Sequence, residues 1–193
     1  MKTLIANARG LIFDCDGTLA DTMPLHWQAW LECFSEIGLS CTPDFLGQFC
    51  GVPSRVIVET YNTEFGTALD PIGFSAIKQA RVQQLLPGAS PIEAITSVVN
   101  ASLGVLPMAV ASGGTRKNVD MILNAIGLDQ AFDVILTADD AVDAKPLPGI
   151  FLEAARLLKI PPQECLVFED GEPGFIAARR AGIPFVDVRQ VIV

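Results

Sequence analysis

The sequence predicts an α/β fold: a doubly wound parallel sheet with a small all-helical unit inserted after the first strand. Three observations predict it. From residue 86 onward, short apolar runs alternate with stretches of helical period. Those runs are too uniformly apolar for a sheet with one wet face. Residues 21–85 break the rhythm and carry helical stripes only. The pattern implies βαβ units, a sheet covered on both faces, and ligands at the C-terminal ends of the strands.

The elements follow in order. The first strand is Gly10–Cys15. In the insert, apolar residues recur as Trp27, Trp30, Leu31 and Phe34, then Phe45, Leu46 and Phe49, then Ile57, Tyr61 and Phe65, then Phe74, Ile77 and Leu85. Such stripes pack helix on helix. Asp70-Pro71 reads as the cap and first residue of the last insert helix. Ser90-Pro91-Ile92-Glu93 reads as a capping box opening a helix with Ile92, Ile95, Val98, Val99 and Leu103 on its apolar side. A strand over 107–111 comes next. Thr115 then caps a helix carrying Val119, Ile122, Leu123 and Ile126, which Gly127 stops. Strand 132–136 precedes a helix bearing Phe151, Ala154, Ala155 and Leu158. Strand 165–168, a helix from about Pro173 to Ala181 stopped by Gly182, and strand 185–188 complete the series. The core domain therefore reads as residues 1–20 and 86–193, and the insert as 21–85.

Composition narrows the function. With 193 residues, half of them hydrophobic and 18% charged, the chain can build one sizeable core, or a core plus a small insert, and is not disordered. A net charge of −9 argues against a nucleic-acid partner, which needs clustered Lys and Arg. It does not exclude a small phosphate, which one metal, one Lys and backbone amides can hold. Cys15, Cys33, Cys41, Cys50 and Cys165 occur singly, without a CxxC pair, and read as reduced thiols. The opening MKTLIANARG has too short an apolar stretch for a signal peptide. No apolar run approaches the ~20 residues that cross a bilayer. The expectation is a cytoplasmic monomer with no membrane partner.

Four places carry chemistry. Leu11-Ile12-Phe13 runs into Asp14-Cys15-Asp16-Gly17-Thr18-Leu19. Side chains two apart on an extended backbone point the same way, so Asp14 and Asp16 enter one site. Gly17 lets the chain turn sharply behind them. Two carboxylates at the mouth of a buried strand are costly without a cation. Ser112-Gly113-Gly114 follows a strand and opens onto a helix, offering a hydroxyl and free amides to an anion. Lys145 lies in Ala144-Lys145-Pro146, where the Pro favours an extended backbone. Glu169-Asp170-Gly171 ends another apolar strand. Acidic oxygens from two strand ends suit a hard divalent cation such as Mg2+.

These motifs, in this order, resemble the haloacid dehalogenase superfamily: DxDGT at Asp14–Thr18, the strand-terminal Ser112, Lys145-Pro146, and the acidic pair Glu169-Asp170. A chance DxDGT in one chain is on the order of one in a thousand. Asp14–Leu19, Lys145-Pro146-x-Pro, and Phe168-Glu169-Asp170 with Ala177-Ala178-x-x-Ala181-Gly182 resemble the β-phosphoglucomutase-like branch. That branch holds both sugar-phosphate phosphatases and mutases, and its helical cap follows the first motif, as residues 21–85 do. The resemblance implies that Asp14 attacks phosphorus and that Asp16 protonates the leaving alcohol, then activates water. It implies Mg2+ held by Asp14, the Asp16 backbone carbonyl, Asp170 and Glu169, with Ser112, Gly113 and Lys145 neutralising the phosphoryl group. In the cap, it implies substrate contacts from His26, Arg55 and Lys78. The expected substrate is a small phosphorylated metabolite, a sugar phosphate of the fructose 1-phosphate or 6-phosphogluconate type.

Hydrolysis competes with isomerisation, since a β-phosphoglucomutase would use the same phospho-aspartate. A non-catalytic scaffold would have lost the nucleophile, acid or Lys, and none is lost. A dehalogenase would not need Asp16. A phosphonatase would need a Schiff-base Lys in the cap, and the residues around Lys78 lend that no support. Gly171, where the branch commonly has Ser, and the Gly-rich Ser112-Gly113-Gly114 bear on substrate preference rather than on the reaction.

Overall fold

The computed structural model describes residues 2–49 and 52–191, so Cys50 lies outside the described residues. These form two compact units, one of Met1–Thr22 with Ala89–Val193 and one of Met23–Gly88.

The first unit is built on five parallel strands. They are β1 (Gly10–Phe13), β4 (Met108–Ala111), β5 (Val134–Leu136), β6 (Cys165–Glu169) and β7 (Phe185–Asp187), in the order β5-β4-β1-β6-β7. The chain winds outward from β1 through β4 to β5, then returns beyond β1 to add β6 and β7. The order therefore reverses between β1 and β6, whose C-terminal ends form the crevice where such sheets bind ligands. Ile12, Ala109, Ala111 and Val167 face α8 (Gly149–Leu158) and α9 (Glu172–Ala181), which contribute Phe151, Ala154, Ala155, Ala177 and Ala178 to one continuous core. Alanines on these helices let them lie close on the sheet. Phe13 and Phe168 point to the opposite face and stack at 4.7 Å. Helices α6 (Glu93–Ser102) and α7 (Arg116–Ala125) complete the main crossovers, and α1 (Lys2–Asn7) precedes β1.

Local signals mostly operate as the sequence suggests. The Thr115 hydroxyl accepts from the Asn118 amide at 3.4 Å, and Gly127 and Gly182 take positive φ at +71° and +68° behind their helices. One expectation is overturned. Ser90 caps nothing: Ser90–Pro91 (β3) pairs antiparallel with Ala20–Asp21 (β2), and α6 begins at Glu93 behind Ile92, which supplies no side-chain cap. The ladder between β2 and β3 uses the backbone that a capping box would have needed.

The second unit consists of α2 (Met23–Glu36), α3 (Pro43–Gly47), α4 (Ser54–Phe65) and α5 (Pro71–Leu85). Its core is aromatic, with Trp30, Phe34, Phe45, Tyr61 and Phe74 all buried. Phe34 and Tyr61 lie 4.2 Å apart, and the Tyr61 hydroxyl donates to the Ser40 carbonyl at 2.7 Å, satisfying its polar end. Asp70 accepts from the Ile72 and Gly73 amides at 3.1 and 3.0 Å, which starts α5 as the sequence predicts. Arg81 ties α5 to α2 through Glu32 and Glu36, both at 2.6 Å.

Candidate active site

Asp14 is the first residue beyond β1, and its amide donates to the Phe168 carbonyl at 3.0 Å. That bond extends the β1–β6 pairing by one step and fixes Asp14 beside the end of β6. Asp14 and Glu169 are both buried. The Lys145 ammonium bridges them, 2.6 Å from Asp14 Oδ1 and 2.6 Å from Glu169 Oε1. It also lies 5.0 Å from the centre of the Phe151 ring, a low-dielectric wall on its other side. The second Glu169 oxygen, Oε2, accepts from the amides of Asp170 and Gly171, both at 2.7 Å. Both oxygens of Glu169 are thus committed.

Asp170 completes the cluster: Asp14, Glu169 and Asp170 each place a carboxylate oxygen within 4.8 Å of the other two. Three carboxylates face one ammonium, so the cluster carries surplus negative charge where water is scarce. Its titration reflects this. Burial pushes the Asp14 carboxyl well above the usual range, against the pull of Lys145. Burial, reinforced by the charge of Glu169, pushes Asp170 up to about 6. Burial draws the Lys145 ammonium down, but Asp14 and Glu169 outweigh it and hold its pKa above the usual lysine range. All-oxygen donors with surplus negative charge fit a hard divalent cation.

The turn after β1 is tightly bonded. The Cys15 carbonyl accepts from the amides of Thr18, Leu19 and Ala20, and Gly17, at φ +80°, brings its Cα against Asp170. A Cβ at position 17 would collide with the Asp170 carboxylate. Two hydroxyls, neither marked by the sequence as functional, orient the acids. Thr18 donates to Asp170 Oδ1 at 3.3 Å, and the buried Thr22 donates to Asp16 Oδ1 at 2.8 Å. Nothing in local spacing marks Thr22; only its burial does.

Ser112, buried one residue past β4, donates its amide to the Leu136 carbonyl at 2.9 Å. Its hydroxyl oxygen accepts from the Gly114 amide at 2.9 Å, which leaves the hydroxyl proton to donate elsewhere. A Cβ on Gly114 would stand 3.5 Å from Asp16 Oδ2, so this loop lies beside Asp16. Gly113 is exposed, with open space where a side chain would be.

The first unit therefore assembles Asp14, Lys145, Glu169 and Asp170 into one cluster and sets Asp16 beside the Ser112–Gly114 loop. In the helical unit the three remaining residues differ. Lys78 is buried, with Nζ 2.9 Å from His26 Nδ1 and 5.3 Å from the centre of the Trp30 ring. Arg55 is exposed and lies 3.6 Å from Glu59, one helical turn away. Burial of a lysine is uncommon unless it is paired, and no sequence signal ranks Lys78 above Arg55.

The chain matches the model of the haloacid dehalogenase-like hydrolase family over residues 11–188. It is 35% identical over 180 residues to the fructose-1-phosphate phosphatase YqaB of Escherichia coli, covering 93% of this chain and 96% of that one. It is 27% identical over 177 residues to a phosphorylated carbohydrates phosphatase of Thermotoga maritima, covering 90% and 81%. The crystal structure of CbbY from Rhodobacter sphaeroides in complex with phosphate shares the fold, with a TM-score of 0.78 at 24% identity over 92% of this chain and 84% of that one. The length of the match, the doubly wound sheet and the acidic cluster at its switch point agree: this chain belongs to the haloacid dehalogenase-like hydrolases.

Proposed function

We propose that the protein is a Mg2+-dependent phosphatase that hydrolyses a small sugar phosphate, of the fructose 1-phosphate or 6-phosphogluconate type, through an aspartyl-phosphate on Asp14. The observation that carries this reading is the cluster in which buried Asp14 and Glu169, with half-buried Asp170, meet Lys145 where two adjacent strands end. Asp14, Asp170 and the Asp16 carbonyl would hold Mg2+, while Glu169, whose two oxygens are engaged by Lys145 and by two backbone amides, adds its negative charge beside the ion. When bound, the ion supplies positive charge that lets a dianionic ester approach and stabilises charge building on the phosphoryl oxygens.

The chain's own groups perform the rest. An Asp14 carboxylate oxygen attacks phosphorus as the ester P–O bond breaks, and Asp16 donates its proton to the departing alcohol. The deprotonated Asp16 then removes a proton from water, which attacks the phospho-aspartate phosphorus and releases inorganic phosphate with Asp14 regenerated. The Thr22 hydroxyl on Asp16 holds this acid–base group in place. Lys145, the Ser112 hydroxyl and the Gly113 amide meet the phosphoryl oxygens. The helical unit serves as the cap: His26 and Lys78 recognise the sugar as a coupled pair, and Arg55 contributes a charge from its surface. The enzyme acts as a cytoplasmic monomer.

The test is phosphate release from fructose 1-phosphate, 6-phosphogluconate, β-glucose 1-phosphate and phosphoglycolate, each with and without EDTA. The expected result is turnover of at least one sugar phosphate that chelation abolishes and Mg2+ restores. Turnover that survives exhaustive chelation would remove Asp170 from the role given to it here.

A further inference from the structure

Glu169 Oε1, the atom that holds Lys145, occupies the space where a side chain at position 174 would begin. Gly174 is buried in the first turn of α9. A Cβ built there would collide with Glu169 Oε1, Cδ and Cγ together. A clash with the end of a long side chain is ordinarily relieved by a rotamer change. Here that route is closed, because Glu169 is buried with one oxygen on Lys145 and the other on two backbone amides. Moving the carboxylate breaks the buried ion pair or strips the two amides ahead of α9 of their acceptor.

We infer that Gly174 is a positioning residue for Lys145: its missing side chain is what allows Glu169 to hold the ammonium against Asp14. The relay runs from Gly174 through Glu169 Oε1 and Lys145 Nζ to Asp14 Oδ1, each link in contact. This inference rests on the phosphatase reading for its kinetic consequence, but not for its steric one. Helix propensity points the opposite way, since Ala is a better helix former than Gly and alone would leave the protein no less stable.

A double-mutant cycle between Gly174→Ala and Glu169→Ala separates the two. Gly174→Ala is expected to lower kcat by about a hundredfold, the scale of losing one charge-stabilising group. It is also expected to weaken binding of orthovanadate in the presence of Mg2+, read by calorimetry, by about tenfold, and to lower the melting temperature. In the Glu169→Ala background the carboxylate is gone. There the Gly174→Ala change should alter vanadate binding by less than about twofold and leave the melting temperature unchanged or higher. If Gly174→Ala alone does not fold, the double variant should fold as well as Glu169→Ala does. A Gly174→Ala enzyme with wild-type kcat would overturn the inference, as would equal losses in both backgrounds or a double variant less stable than Glu169→Ala. A wild-type protein that hydrolyses no sugar phosphate would instead defeat the phosphatase reading, while the melting arm of the cycle still tests the contact.

Discussion

An Asp14→Asn protein folds, and its phosphatase activity falls by at least about four orders of magnitude. The side chain keeps its size, and the backbone bond from Asp14 to Phe168 is unaffected. Lys145 keeps its ion pair with Glu169 and can still donate to an amide oxygen at position 14. What is lost is the negative charge and, in the proposed mechanism, the attacking oxygen. Uncatalysed phosphomonoester hydrolysis is among the slowest reactions known, so binding and orientation by the remaining groups leave no measurable rate. Phosphate release and a far-UV circular dichroism melt check both halves. A variant with a tenth of wild-type activity contradicts the nucleophile assignment.

Lys145→Met loses activity and stability together. Methionine fills the space against Phe151 but leaves Asp14 and Glu169 buried without the cation between them. Removing one partner of a buried charge cluster costs about 3–5 kcal/mol, because the other charges stay behind. The midpoint of urea unfolding should therefore fall, and Mg2+ should recover part of the loss by supplying charge to the same carboxylates. Turnover should fall about a thousandfold even at saturating Mg2+, because the ammonium proposed to meet the transferring phosphoryl group is gone. Unchanged stability without Mg2+ would mean that the cluster is far better solvated than its burial indicates.

Much of this is legible in the sequence because its signals are local. The alternation of apolar runs and helical periods identifies the four later strands of the five-stranded sheet, and the apolar run before Asp14 identifies the first. Thr115, Asp70, Gly127 and Gly182 are cap and stop residues that act through bonds within a few positions. The Asp14-x-Asp16-Gly17 spacing points to a strand mouth, and Glu169-Asp170 to a second. What escapes is non-local or competes with a local signal. Ser90 carries a capping-box pattern, yet its backbone is drawn into a pairing with Asp21, far earlier in the chain, that no window around Ser90 reveals. Lys145 stands out as a motif, but its bridge from Asp14 to Glu169 joins residues 131 and 24 positions away. The engagement of both Glu169 oxygens, which weakens its standing as a metal donor relative to Asp170, is a matter of rotamer and register. Gly174 looks like an ordinary small residue in a helix; only the Glu169 carboxylate occupying its side-chain volume gives it meaning.

In the proposed cycle the phospho-aspartate on Asp14 is handed to water rather than to a second sugar hydroxyl. One reaction measures this directly: β-glucose 1-phosphate with Mg2+, primed with glucose 1,6-bisphosphate, followed at once for inorganic phosphate and, through a coupled dehydrogenase, for glucose 6-phosphate. Phosphate release is expected to dominate, with glucose 6-phosphate a minor product, because in the proposed cycle Asp16, bonded by the Thr22 hydroxyl, acts on water as well as on the leaving group. Rapid glucose 6-phosphate formation with slow phosphate release would contradict it and make the protein a mutase.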